Sequence, residues 1–170
     1  MRMGSITTDI VSDGLVLNMD AANRASYVSN NLETFDTTDT SVSGSLVNDT
    51  TFNTSPLSWA FDGTDDYITL SSAAKFRPTD AELNSAGLTF LVWFKTNDNT
   101  ATQGLFCTDG VNQSTYYGLE GFWNGSTSKF IMAKMDGTGA GSGDRSTALT
   151  TAVTVNNDQW YNVAFNFVNS

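Results

Sequence analysis

The twelve residues "WAFDGTDDYITL", Trp59 to Leu70, decide how the chain is read. Asp62, Asp65 and Asp66 fall within five residues, around Gly63 and between two runs of apolar and β-branched residues. Read as a turn, Gly63 supplies a positive φ, and Asp62 or Asp65 bonds the loop's own amides. Trp59 and Phe61 then share one face of an incoming strand, and Ile68 and Leu70 share one face of an outgoing one. That reading predicts a tight hairpin. Read as a site, the clustered carboxylates of Asp62, Asp65 and Asp66 suit a hard cation, calcium first. The order is not that of an EF-hand, which needs D-x-[DN]-x-[DN]-G and a distal Glu.

Strand signals continue on both sides. "GLVLNMD", Gly14 to Asp20, alternates, with Leu15, Leu17 and Met19 on one face. "LTFLVWFKT", Leu88 to Thr96, is apolar on both faces, which predicts a central strand. "YYGLEGFW", "KFIMAKM" and "QWYNVAFNFV" follow, each bounded by Gly, Asn or Asp. In the last, Tyr161, Val163, Phe165 and Phe167 point one way, and Trp160, Asn162, Ala164 and Asn166 the other. Helical signals are short: "TDAELNSAG" at 79–87 and "DAANRASY" at 20–27. Residues 30–51 are rich in Thr, Ser, Asn and Asp and read as a long loop holding one short strand. "DGTGAGSGDRST", Asp136 to Thr147, reads as a flexible loop without phosphate-loop spacing. Residues 1–13 form an N-terminal arm, and residues 14–170 one domain. The expected fold is all-β, two antiparallel sheets packed face to face.

Composition excludes whole classes of function. The net charge is −10, from 18 acidic and 8 scattered basic residues, which argues against nucleic acid and anionic membranes. The absence of histidine removes Ser-His-Asp and Cys-His nucleophiles and His-built zinc sites. Cys107 is the only cysteine and reads as a small buried residue sharing a face with Leu105. The first residues hold no continuous apolar run of a secretory signal, and no window reaches the length of a transmembrane span. The Asn-x-Ser/Thr patterns at Asn48, Asn53, Asn112 and Asn124 read as composition rather than glycosylation.

Four segments in order carry a resemblance: "GLVLNMDAANRASY", "SWAFDGTDDYITL", "LTFLVWFKTN" and "QWYNVAFNF". Together they look like the landmarks of the laminin-G-like, concanavalin A-like jelly roll, across nearly all of the chain. The resemblance implies a jelly-roll β-sandwich, and calcium or glycan binding at a loop rim. It also implies closing strands after "WYNV" that this sequence does not contain, so that either the natural protein is longer, the favoured expectation, or a partner chain completes the sheet. The opening "GSITTDIVSDGLVLNMDAANRASY" resembles the N-terminus of structural and appendage proteins of tailed phages. That implies a virion-surface location, other virion proteins and copies of itself as partners, and a host-surface glycan as a further contact.

Glycosidases on this fold carry strand-borne pairs of carboxylates about 5 Å apart. The three glutamates here, Glu33, Glu82 and Glu120, have no carboxylate two or four positions away on a strand. The expected function is therefore non-enzymatic: a decoration, fibre or appendage subunit. The alternatives are a calcium-assisted lectin module and a degenerate glycoside hydrolase. Candidate glycan contacts are Tyr116, Tyr117, Trp123 and Asn124, since aromatic faces stack on sugars and amides bond hydroxyls. The competing reading places these aromatics in the core.

Overall fold

The computed structural model describes residues 15–23, 26, 32–39, 41–71, 87–108, 117–136, 145–150 and 152–167. The described residues form β-strands and no helix: β1 (Glu33–Phe35), β2 (Ser43–Val47), β3 (Thr51–Thr54), β4 (Leu57–Ala60), β5 (Tyr67–Leu70), β6 (Leu88–Phe94), β7 (Thr102–Cys107), β8 (Tyr117–Asn124), β9 (Lys129–Asp136), β10 (Arg145–Leu149) and β11 (Tyr161–Phe167). All strand pairs are antiparallel. The chain divides into two compact units, Met1–Ser72 and Ala73–Ser170. The arm at 1–13 lies outside the described residues, as does all of "TDAELNSAG" except Gly87, whose φ is +70°. Residues 20–23 of the other helical candidate form a turn, with the Asn23 amide donating to the Asp20 carbonyl at 3.0 Å.

The first unit holds a three-stranded sheet in the order β1-β2-β5 and a separate hairpin, β3-β4. The supposed long loop at 30–51 thus contains two strands, β1 and β2, before β3 begins at Thr51. Its composition misled because polar groups are buried in this unit beside Val42 and Leu46. Ser26, Thr34 and Asp36 are each fully buried. Burial of such groups is tolerable when every one is bonded. Asp36 Oδ1 accepts from the amides of Asn18 and Thr38 at 2.8 and 2.9 Å, and Oδ2 accepts from the Thr38 hydroxyl at 2.7 Å. Thr34 Oγ1 donates to the Ser26 carbonyl at 2.7 Å, and Ser26 Oγ donates to the Phe35 carbonyl. Leu15, Leu17 and Met19 are half-buried and Val16 is exposed, which matches the expected alternation, although residues 15–20 join no ladder. Gly44 sits at the crowded centre of this sheet, where a Cβ would meet Thr34 and Ile68 methyls at 2.8 Å.

The second unit is a two-layer sandwich. A four-stranded sheet, β10-β9-β8-β7, packs on the pair β11-β6. Seven-residue register joins β6 to β11, from Phe94 opposite Tyr161 to Leu88 opposite Phe167. The inward side chains of that pair, Leu88, Phe90, Phe94, Tyr161, Val163, Phe165 and Phe167, pack with Leu119, Trp123, Phe130 and Met132 from the larger sheet. Aromatic edges lock the layers: Phe94 on Phe130 at 5.6 Å and 82°, Phe106 on Phe165 at 5.2 Å and 79°. Such edge-to-face pairs add to the burial of the rings themselves.

Three expectations are corrected here. "LTFLVWFKT" has the predicted faces, yet β6 pairs only with β11 among the described residues, and Leu91 and Trp93 are 64% and 66% exposed. Cys107 is exposed, not buried. The cause is a bulge in β7: Gly104 lies opposite Phe122, but Phe106 lies opposite Gly121. One residue is added, so Leu105 and Phe106 both turn partly inward and the phase inverts beyond them. Moreover, β10 begins at Arg145, inside the segment expected to be loop through Thr147.

Candidate functional site

Asp62, Asp65 and Asp66 come together as the sequence suggested, each offering a carboxylate oxygen within 4.8 Å of the others. They do not close a hairpin. β4 pairs with β3, whereas β5 pairs with β2, so the loop carries the chain from one sheet to another. Local turn chemistry is nevertheless as expected. Asp62 Oδ1 accepts from the amides of Thr64 at 2.7 Å and Asp65 at 3.4 Å, and Gly63 has φ +81°. The Thr64 amide holds the Asp62 carboxyl below its ordinary value of 3.8 by favouring the charged form.

Asp66 does the joining. Its Oδ2 accepts from the Asp62 amide at 2.8 Å and its Oδ1 from the Asp49 amide at 2.9 Å. Asn48, with φ 56°, donates its side-chain amide to the Asp65 carbonyl at 2.5 Å. The turn after β2 and the turn before β5 are thereby one unit, pinned by a half-buried carboxylate. For a hard cation the donor set is chemically suitable, since all three groups are oxygens in reach of one centre. A calcium ion takes six to eight oxygens, so backbone carbonyls and water would complete the shell.

The candidate glycan residues separate. Tyr116 and the side chain of Tyr117 lie outside the described residues. Trp123 is 1% exposed, and its indole N–H donates to the Asn99 carbonyl at 3.0 Å. Its ring is core and offers no face to a sugar. Asn124 is half-buried at the strand end, where its Oδ1 accepts from Ser126 and Thr127 and shapes the β8–β9 turn. Asn99 organises the neighbouring end of the sandwich. Its amide donates to Asn157 Oδ1 at 2.8 Å, and its side chain donates to the Val155 carbonyl at 2.6 Å. An open depression of about 460 Å³ lies there, lined by Asn99, Thr100, Gly125, Ser128, Val153 and neighbouring residues.

Glu120 lies in β8 between Cys107 of β7 and Ala133 of β9, with no carboxylate opposite it in either register. What sequence reasoning missed is the outer face of β6 and β11. Trp93, Leu91 and Trp160 are large and exposed. A signal existed: the outward positions of β11 are Asn162, Ala164 and Asn166, too polar to face a further layer, so the apolar outward positions of β6 had nothing to bury against.

No helix among the described residues is long and apolar enough to cross a membrane. No curated protein and no solved structure matches the chain. A laminin G-type family model, described as the concanavalin A-like lectin/glucanases superfamily, matches residues 62–170. The match begins at the first aspartate of the acidic loop and runs through every strand of the second unit. Covering more than half of the sequence, it establishes that the chain belongs to the concanavalin A-like lectin/glucanases superfamily.

Proposed function

We propose that this chain is a non-catalytic, surface-exposed module that works by contact, as a decoration, fibre or appendage subunit of a phage particle, and that part of this contact is with carbohydrate. The observation that carries the non-catalytic reading is the setting of Glu120. Two carboxylates about 5 Å apart are required for retaining hydrolysis, and six or more for inversion. Thiol and methyl side chains flank Glu120 across both ladders. The described carboxylates that do cluster are engaged by backbone amides at Asp62 and Asp66. Superfamily membership supports the carbohydrate contact. The particle setting rests on the sequence resemblance of the first residues, and its partners would be other virion proteins and further copies of this chain.

Mass spectrometry of purified particles tests the location: absence of the protein from intact virions would overturn it. Release of reducing sugar from polysaccharide, lost in Glu120→Gln, would overturn the non-catalytic part.

The acidic loop favours a second reading, a calcium-assisted lectin. Asp62, Asp65 and Asp66 would hold the ion, which would order the loop and offer open coordination positions to sugar hydroxyls. Binding to the native state alone raises the unfolding midpoint. An unchanged midpoint at millimolar calcium would remove this reading.

A further inference from the structure

The outer face of the β6–β11 pair is a surface with exposed apolar side chains, on which no further layer packs among the described residues. Along β6 the outward residues are Thr89, Leu91 and Trp93, and the ladder sets them opposite Asn166, Ala164 and Asn162. Trp93 is 66% and Leu91 64% exposed. One step past the ladder, Trp160 is 42% exposed, and Lys95 Nζ lies 5.9 Å from the centre of its ring. That step makes Trp93 and Trp160 diagonal neighbours on one surface, about 7–8 Å apart.

Two features of this face select its occupant. The first is chemistry. Indole rings stand beside side-chain amides, and the outward residues of β6 and β11 include no carboxylate, in a chain of net charge −10. Flat rings accept the C–H faces of sugars, and Asn162 and Asn166 can exchange hydrogen bonds with hydroxyls. Asn166 is already oriented, because its Oδ1 accepts from Thr89 Oγ1 at 2.9 Å. The second is size. Two strands of seven residues span roughly 23 by 10 Å, or about 230 Å². A specific protein–protein interface covers about 800 Å² on each partner. By itself the two-strand face is smaller than such an interface, and a short oligosaccharide fits within it.

We infer that the outward face of β6 and β11, centred on Trp93 and Trp160, is the surface on which this chain binds oligosaccharide. This rests on the carbohydrate-contact reading above and gives it a location, distinct from the acidic loop and from Tyr116–Asn124. The rings act as a stacking platform, and the asparagine amides fix the sugar's orientation.

The test uses the whole chain on a printed array of bacterial surface polysaccharides, followed by fluorescence titration with an oligosaccharide prepared from the best-bound one. Wild type is expected to bind. Trp93→Ala is expected to weaken binding about tenfold or more, which is a full decade in Kd. Trp160→Ala is expected to weaken it as well, and Leu57→Ala, exposed in the first unit, to leave it unchanged. Both tryptophans are exposed, so the variants should keep the wild-type melting temperature and circular dichroism. If wild type binds and Trp93→Ala binds equally, the location is wrong while the carbohydrate reading stands. If wild type binds nothing on the array, both fall. If light scattering instead shows an oligomer that Trp93→Ala dissociates without loss of glycan, the face is a protein contact and the inference is overturned.

Discussion

Replacing Gly121 by alanine would place a methyl carbon 2.2 Å from Phe106 Cε1, 2.7 Å from Cζ and 2.9 Å from Cδ1. Gly121 stands directly opposite Phe106 in the β7–β8 ladder, just past the bulge. The ring must therefore move by more than 1 Å, since ordinary carbon contacts begin near ~3.5 Å. It cannot withdraw without loss. One face stacks on Phe90 at 4.0 Å and 13°, and its edge meets Phe165 at 5.2 Å. Overpacking of this kind costs about 1–3 kcal/mol, and a broken aromatic pair adds about 0.5–1.5 kcal/mol. The expected destabilisation is about 2–4 kcal/mol, which at this chain length lowers the melting temperature by roughly 5–12 °C. Urea unfolding followed by circular dichroism and a calorimetric scan measure it. The double variant Gly121→Ala/Phe106→Leu should recover part of the loss, because the shorter side chain leaves room for the methyl. A loss under about 0.5 kcal/mol, or no recovery in the double variant, would refute the seating of Phe106 on Gly121.

Asp66→Asn sets an NH₂ group against one of the two amides that Asp66 accepts, so both turns should loosen together, by about 1–2 kcal/mol in urea unfolding; no loss would mean the junction is held elsewhere. The carboxyls of Asp62 and Asp98 are both held below 3.8, Asp62 chiefly by the Thr64 amide and Asp98 chiefly by the Thr100 hydroxyl. Their stabilising effect is therefore complete above the unfolded-state pKa and is lost as pH falls through the lower folded-state value. Carboxyl carbon chemical shifts should show both titrating below 3.8, and a midpoint above that would contradict the turn geometry. Cys107 is exposed beyond the bulge, so a thiol reagent should label the native protein without denaturant; protection until unfolding would place the thiol inward.

Legibility followed the range of the interactions. In β11 the period of two is regular over all seven residues, and the structure shows the same two faces that the sequence gives. Asp62 and Gly63 likewise form the turn their residue types favour, because an Asx turn is decided within three residues. The pairing of β4 and β5 was not legible. An Asp-Gly turn between two apolar runs looks the same whether the strands pair with each other or leave for different sheets. Contacts seventeen residues apart, Asp49 with Asp66 and Asn48 with Asp65, tell the two apart. β1 and β2 were obscured because Ser26, Thr34 and Asp36 are buried there beside Val42 and Leu46, and burial of the polar three depends on hydrogen bonds that no hydropathy pattern displays. Cys107 was misplaced by a single residue's slip of phase, and Trp123 by a strand whose two faces both carry aromatics. The outward tryptophan of β6 was hidden for a related reason: an apolar residue on each face predicts two covering layers, and only one is present among the described residues.

The bulge in β7 also fixes what lengths of sequence this strand can accept. Beyond it, Thr108 is buried: its hydroxyl accepts from the Leu119 amide at 2.9 Å, while its own amide donates to the Leu119 carbonyl at 2.8 Å. Deleting Leu105 would restore regular alternation, and would look harmless in any profile of hydropathy. It would also leave the pairs on either side in place, Gly104 opposite Phe122, Phe106 opposite Gly121 and Cys107 opposite Glu120, and with them the clasp of Thr108 to Leu119. What the strand would lose is the apolar side chain that Leu105 packs against the core. The bulge is thus the point in β7 where length can change while the faces on both sides keep their phase.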